Sequence, residues 1–121
     1  MGEDDVDDDQ HSTAIQRVQD ELLGETLDLD REVSRMGAIG ENTRFVILYL
    51  LTSDGELTSG DLADLLDRHQ NDLYHHLNTL EHAGLVGKYR EDGDRVYELS
   101  PLAEDVVPTI FESIERRASS G

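Results

Sequence analysis

Asn71, Tyr74, His75 and Asn78 recur at i, i+3, i+4 and i+7, the spacing that puts side chains on one face of an α-helix. These side chains make hydrogen bonds without carrying formal charge. Asn can bond an adenine edge in bidentate fashion, and Tyr and His can bond bases or phosphate oxygens. The opposite face of the same segment is Leu73, Leu77 and Leu80, a stripe for a core. Any surface helix presents a polar face. This one stands out because the rest of the chain is covered with carboxylates.

The charge distribution is uneven. The 121 residues carry a net charge of −18, which repels phosphate. From Arg68 to Tyr97, however, four basic residues (Arg68, Lys88, Arg90, Arg95) face five acidic ones (Asp72, Glu81, Glu91, Asp92, Asp94). Four of the five histidines fall in the same window. A near-neutral segment in an acidic chain is the footprint expected of one face that meets a polyanion. The basic residues are nine Arg and a single Lys, Lys88, and that composition points to a halophile, one whose cytoplasm holds molar salt. At such salt the Debye length is about 3 Å, so long-range repulsion hardly reaches a partner. The alternative is an acidic protein that never meets nucleic acid.

Several function classes are excluded or disfavoured. There is no cysteine, hence no disulfide, thiolate site or cysteine nucleophile. No phosphate-binding glycine loop, Ser/His/Asp set or metal-ligand cluster is visible, so an enzyme is not expected, nor is a cofactor or a metal. His75 and His76 point about 100° apart on a helix and do not chelate one ion. His76 is expected to pack beside Leu80 or the hairpin. No apolar run is long enough to span a membrane, and the acidic start is no export signal, so the cytoplasm is the expected location.

The elements that must position these groups follow from periodicity and punctuation. Residues 1–12 form a like-charge block, expected to be a disordered tail. Residues 13–28 read as an N-terminal helix and linker, with Ile15, Val18 and Leu22 on one face and Gly24 as the stop. A short helix from Leu29 to Met36 is expected to turn Leu29, Val33 and Met36 inward. Glu41 to Leu51 is a buried helix with Phe45, Leu48 and Leu51 on a face, closed by the Asp54-Gly55 turn. Thr58 and Asp61 form a T-x-x-D signature for a capped helix start, leading to Leu62, Ala63, Leu65 and Leu66.

The helix carrying the polar face runs from Gln70 to Ala83 and is stopped by Gly84. Strands at Lys88 to Arg90 and Arg95 to Leu99 flank Glu91-Asp92-Gly93-Asp94, a hairpin. Ser100-Pro101 reads as an N-cap and first helical residue. The last helix presents Leu102, Val106, Ile110 and Ile114, with Ala103, Val107 and Phe111 beside them, and Pro108 is expected to kink or restart it. The fold class is mainly α with a small β-hairpin wing (α+β), a winged helix-turn-helix over residues 29–100 followed by a C-terminal helix over 101–121.

The segments Glu41 to Leu48, Leu62 to Leu66 and Gln70 to Val86 (QNDLYHHLNTLEHAGLV) resemble the ArsR-type winged-helix repressors, whose recognition helices often read Q-S-x-x-S-x-H-L-x-x-L-x-x-A-G-L-V. The resemblance implies that Gln70, Asn71, Tyr74 and His75 fall where the family touches DNA, with Arg90 and Arg95 on the wing. It also implies a homodimer formed by the terminal helices, here through Ile15, Val18, Leu22, Val106, Ile110, Phe111 and Ile114. Tyr74 stands where the family has a small serine. The helix before the recognition helix has no cysteine, and the last helix has no histidine, so metal sensing is not implied. The expected partner is double-stranded DNA with a pseudo-palindromic site. A winged-helix module for protein contacts, without DNA, is the alternative that the net charge favours.

Overall fold

In the computed structural model, residues 13–120 are described. The acidic block expected as a tail lies outside them. The chain divides into two units between Ser34 and Arg35.

The first unit holds helix α1 (residues 13–23) and the start of α2 (Leu29–Ile39). The last turn of α1, Gln19–Leu23, is wound as a π-helix, and the Gly24 amide bonds the Gln19 carbonyl at 2.8 Å. Gln19 then donates its side-chain amide to the carbonyls of Gly24 and Leu27, each at 2.8 Å, fixing the exit of the helix. Asp28 accepts from the Arg31 amide at 3.0 Å and opens α2.

The second unit continues α2 and adds α3 (Asn42–Asp54), β1 (Glu56–Thr58), α4 (Ser59–Leu66), α5 (Gln70–His82), β2 (Val86–Glu91), β3 (Asp94–Leu99) and α6 (Pro101–Ser120). The winged helix-turn-helix expected from sequence is present, and its wing is larger than a hairpin. β1 joins it in an antiparallel sheet of order β1-β3-β2, with Leu57 opposite Tyr97. The core of this unit is built from Ile47, Leu48 and Leu51 of α3, Leu62 of α4, Leu73, Leu77 and Leu80 of α5, Tyr97 of β3, and Ala103 and Val107 of α6. On α6 the helix begins as expected, with Ser100 Oγ accepting from the Ala103 amide at 3.1 Å. It runs without restart through Pro108.

Two expectations are corrected here. In α2, Val33 (59% exposed) and Met36 (50% exposed) face outward, and Arg35, Ala38 and Ile39 are the buried residues. Arg35 is accommodated because its guanidinium donates to the Ala83 carbonyl at 2.6 Å. Phe111, expected between two copies of the chain, is buried within it, its ring edge-on to Phe45 (5.1 Å) and Tyr49 (5.2 Å).

Candidate nucleic-acid interface

The helix pair is set by backbone chemistry at both ends of its turn. Thr58 accepts from the Asp61 amide at 2.9 Å while Asp61 accepts from the Thr58 amide at 3.1 Å, a complete capping box that starts α4. α4 ends at Asp67, whose left-handed backbone (φ 54°) turns the chain toward α5. Ser59 Oγ then donates to Gln70 Oε1 at 3.1 Å, bridging the two helices at the start of α5. At the far end of α5, Gly84 (φ 75°) donates to the Glu81 carbonyl at 2.9 Å and Leu85 to the Leu80 carbonyl at 3.0 Å. That double bond pattern is a Schellman stop, and it directs the chain into β2.

β2 and β3 turn at Asp92-Gly93, both with positive φ, as a type I′ turn requires. The register pairs Lys88 with Tyr97 and Arg90 with Arg95. Because side chains alternate along a strand, Lys88, Arg90 and Arg95 share one face of the hairpin. This is the face turned to α5. Arg95 places its guanidinium 5.2 Å from the centre of the Tyr74 ring, and Lys88 pairs with Glu81 at 3.2 Å. Arg90 donates to the Gly93 carbonyl at 3.2 Å near the tip. Two arginines directly opposite each other destabilise a hairpin slightly, so fold stability does not account for them.

Of the residues expected on the polar face of α5, Asn71, His75 and Asn78 are exposed side by side. Arg68 is exposed in the turn before the helix. Gln70 and Tyr74 are engaged differently. The Tyr74 hydroxyl donates to Gln70 Oε1 at 3.4 Å, and Tyr74 is half-buried against the core. His76 is partly buried on α5, one turn before the buried Leu80, and has a polar partner that spacing did not suggest. Its Nδ1 sits 3.1 Å from Arg44 Nη1, and Arg44 also donates to the Ala38 carbonyl at 2.8 Å. A guanidinium only donates, so Nδ1 accepts and the imidazole proton resides on Nε2. Burial pushes the His76 pKa below its ordinary value, against the opposing pull of Glu41. Glu41 caps α3 by accepting from the Arg44 amide at 2.9 Å, which lowers its own carboxyl pKa. Nothing in helical spacing marks His76 as a partner of Glu41 and Arg44.

Among the terminal-helix residues, Ile15, Val18 and Leu22 of α1 and Ile114 of α6 are exposed, whereas Val106 and Ile110 are half-buried against the core. Among the described residues, no group of three or more His, Cys, Asp or Glu is arranged to hold a metal ion, and no helix is long and apolar enough to cross a membrane.

Residues 39–87 match the helix-turn-helix domain family. The HTH-type transcriptional regulator MJ1325 of Methanocaldococcus jannaschii is 36% identical over 78 residues, an alignment that covers 57% of this chain and 86% of MJ1325. The chain belongs to the HTH-type transcriptional regulators. The regulator is also 37% identical over 60 residues to a Staphylococcus aureus homolog of the cadmium resistance transcriptional regulatory protein CadC, where it spans 50% of its own length and about half (49%) of that relative. In fold it is similar to the homodimeric winged helix-turn-helix DNA-binding domain of Mb0332 from Mycobacterium bovis. The TM-score is 0.62 at 25% identity, over 75% of the regulator and 81% of that domain. These relatives are named as regulators rather than enzymes.

Proposed function

We propose that the regulator binds double-stranded DNA as a homodimer, with α5 in the major groove and the wing, residues 87–99, on the backbone or minor groove. The observation that carries this reading is the shared face. Lys88, Arg90 and Arg95 line the side of the hairpin next to α5, whose own outer face presents Asn71, His75 and Asn78. Cations beside neutral hydrogen-bonding groups match a surface that anchors on phosphates and reads base edges. Arg68 extends that surface at the start of the helix. The ArsR-type likeness of residues 29–100 supports the same placement, and the homodimeric Mb0332 domain supports pairing of two copies; to that pairing we assign the exposed apolar residues of α1 and α6. Two recognition helices related by a two-fold axis read half-sites about one helical turn apart, so the operator is pseudo-palindromic. The net charge of −18, with a single lysine, fits a halophile's cytoplasm, where molar salt screens the acidic flanks.

Selection of bound fragments from a random duplex library at molar KCl tests the reading. Enrichment of a pseudo-palindrome is expected, lost on changing Asn71→Ala with His75→Ala. Arg95→Ala is expected to weaken all duplexes alike. Failure to enrich any sequence, at any salt concentration, favours a winged-helix module for protein contacts, the reading to which the net charge of −18 lends weight.

A further inference from the structure

By spacing, Tyr74 belongs with the base-reading residues. Its surroundings say otherwise. Asn71, His75 and Asn78 are exposed around it, while Tyr74 packs partly into the core and directs its hydroxyl to Gln70 Oε1. That oxygen also accepts from Ser59 Oγ, on a residue only 6% exposed. The ring carries the Arg95 guanidinium at 5.2 Å from its centre. Tyr74 thus joins α5 to β3 directly and reaches α4 through Gln70, linking the three elements whose mutual geometry sets where the wing lies against the recognition helix.

We propose that Tyr74 is a positioning residue: it holds Arg95 of the wing in place for a phosphate and does not itself read a base. The inference rests on the DNA-binding reading above. A guanidinium held over an aromatic face by cation–π attraction still has N–H groups to offer a second partner, and phosphate geometry matches them. Holding the group in advance removes rotamer freedom that binding would otherwise have to remove, and so raises affinity without adding a contact to DNA. A phosphate contact carries no sequence information. The Tyr74 effect is therefore blind to sequence, unlike that of Asn71 or His75.

The experiment measures affinity for a selected duplex and for a random-sequence duplex, across a KCl series, with the full chain. The variants are Tyr74→Phe, Tyr74→Leu, Arg95→Ala and the Tyr74→Leu/Arg95→Ala double. Leucine keeps apolar bulk at a half-buried site, and Phe keeps the ring if Leu fails to fold. Tyr74→Phe is expected to stay within about 2-fold of wild type, and Tyr74→Leu to weaken both duplexes equally by roughly 2- to 5-fold. Tyr74→Leu should add nothing to Arg95→Ala; the salt slope should fall in Arg95→Ala, which loses a phosphate contact, and stay at the wild-type value in Tyr74→Leu, which keeps it. Additive losses, or a loss of discrimination between the two duplexes in Tyr74→Phe, overturn the assignment while leaving the DNA reading intact. A wild-type chain that binds neither duplex overturns both.

Discussion

His76 on α5 accepts a hydrogen bond from Arg44 near the start of α3, Nδ1 to Nη1 at 3.1 Å. Protonation of His76 puts a proton where that bond now lies and sets two cations against each other, with the Glu41 carboxylate 3.6 Å from Nδ1 as partial compensation. His75 and Arg68 add further positive character when the ring charges. Burial first, and these cations after it, hold the folded-state pKa of His76 below its ordinary 6.5. The unfolded chain takes up the proton first, so stability is fully present above about pH 6.5 and falls as pH drops toward the folded value. Denaturant midpoints measured across this range should show that decline. His76→Gln, which still offers an oxygen to Arg44, should flatten it, and an unchanged slope in that variant would falsify the link.

On the far side of the wing, Tyr89 donates its hydroxyl to Glu56 Oε2 at 2.5 Å, reaching across β3 to β1. Losing the phenolic proton there places two anions together, and the Tyr89 pKa is pushed up to about 12. A raised folded pKa means that the contribution to stability is intact below the ordinary 10 and is lost as pH climbs from there to about 12. Phenolate absorbance should show this late titration, with Tyr89→Phe identifying it among the four tyrosines. In Glu56→Gln the midpoint should return toward 10.

Thr58 ends β1 and caps α4 at once. Thr58→Ala is expected to lower unfolding free energy by about 1 kcal/mol, the usual cost of a lost N-cap. Urea unfolding measures it. Thr58→Ser keeps the hydroxyl and should recover most of the loss. If the serine variant fares no better than alanine, the cap is not what stabilises this turn.

Pairing of two copies can be tested on residues that the fold leaves outside its own core. Leu22 is 75% exposed on α1, and Ile114 is exposed on α6. Sedimentation of the wild type should give twice the chain mass, and Leu22→Asp with Ile114→Asp should reduce it to a monomer while leaving the helical content unchanged. Core substitution behaves differently. Leu77→Ala, at a fully buried position on α5, should cost about 2–5 kcal/mol and unfold the chain without any such intermediate. A double variant that remains dimeric moves the interface away from these two helices.

Much of the fold was legible because its signals are local. The Leu73, Leu77, Leu80 stripe, the Thr58/Asp61 pair, the Ser100-Pro101 start and the Asp92-Gly93 tip each act within a few residues of themselves. β1 was not legible. Glu56-Leu57-Thr58 is too short to show an alternating pattern, and it is a strand only because β3 lies beside it. α2 was misread for another reason. Leu29, Val33 and Met36 form a stripe as regular as the one actually buried, and periodicity does not say which of two stripes faces a core. On the candidate interface, residue type placed Asn71, His75 and Asn78 on an exposed face. It could not separate Tyr74 from them, since that depends on Arg95 arriving from the wing. The contact of His76 with Glu41 and Arg44 joins two helices far apart in the chain and left no mark on either one.

The order β1-β3-β2 has a consequence for how the chain assembles. β2 and β3 are joined by a two-residue turn and can close on each other early, whereas Leu57 must wait for Tyr97, with α4 and α5 made in between. β1 is therefore the last strand to dock, and during synthesis it emerges well before its partner exists. A chain truncated ahead of Asp94 would lose not one strand but all three.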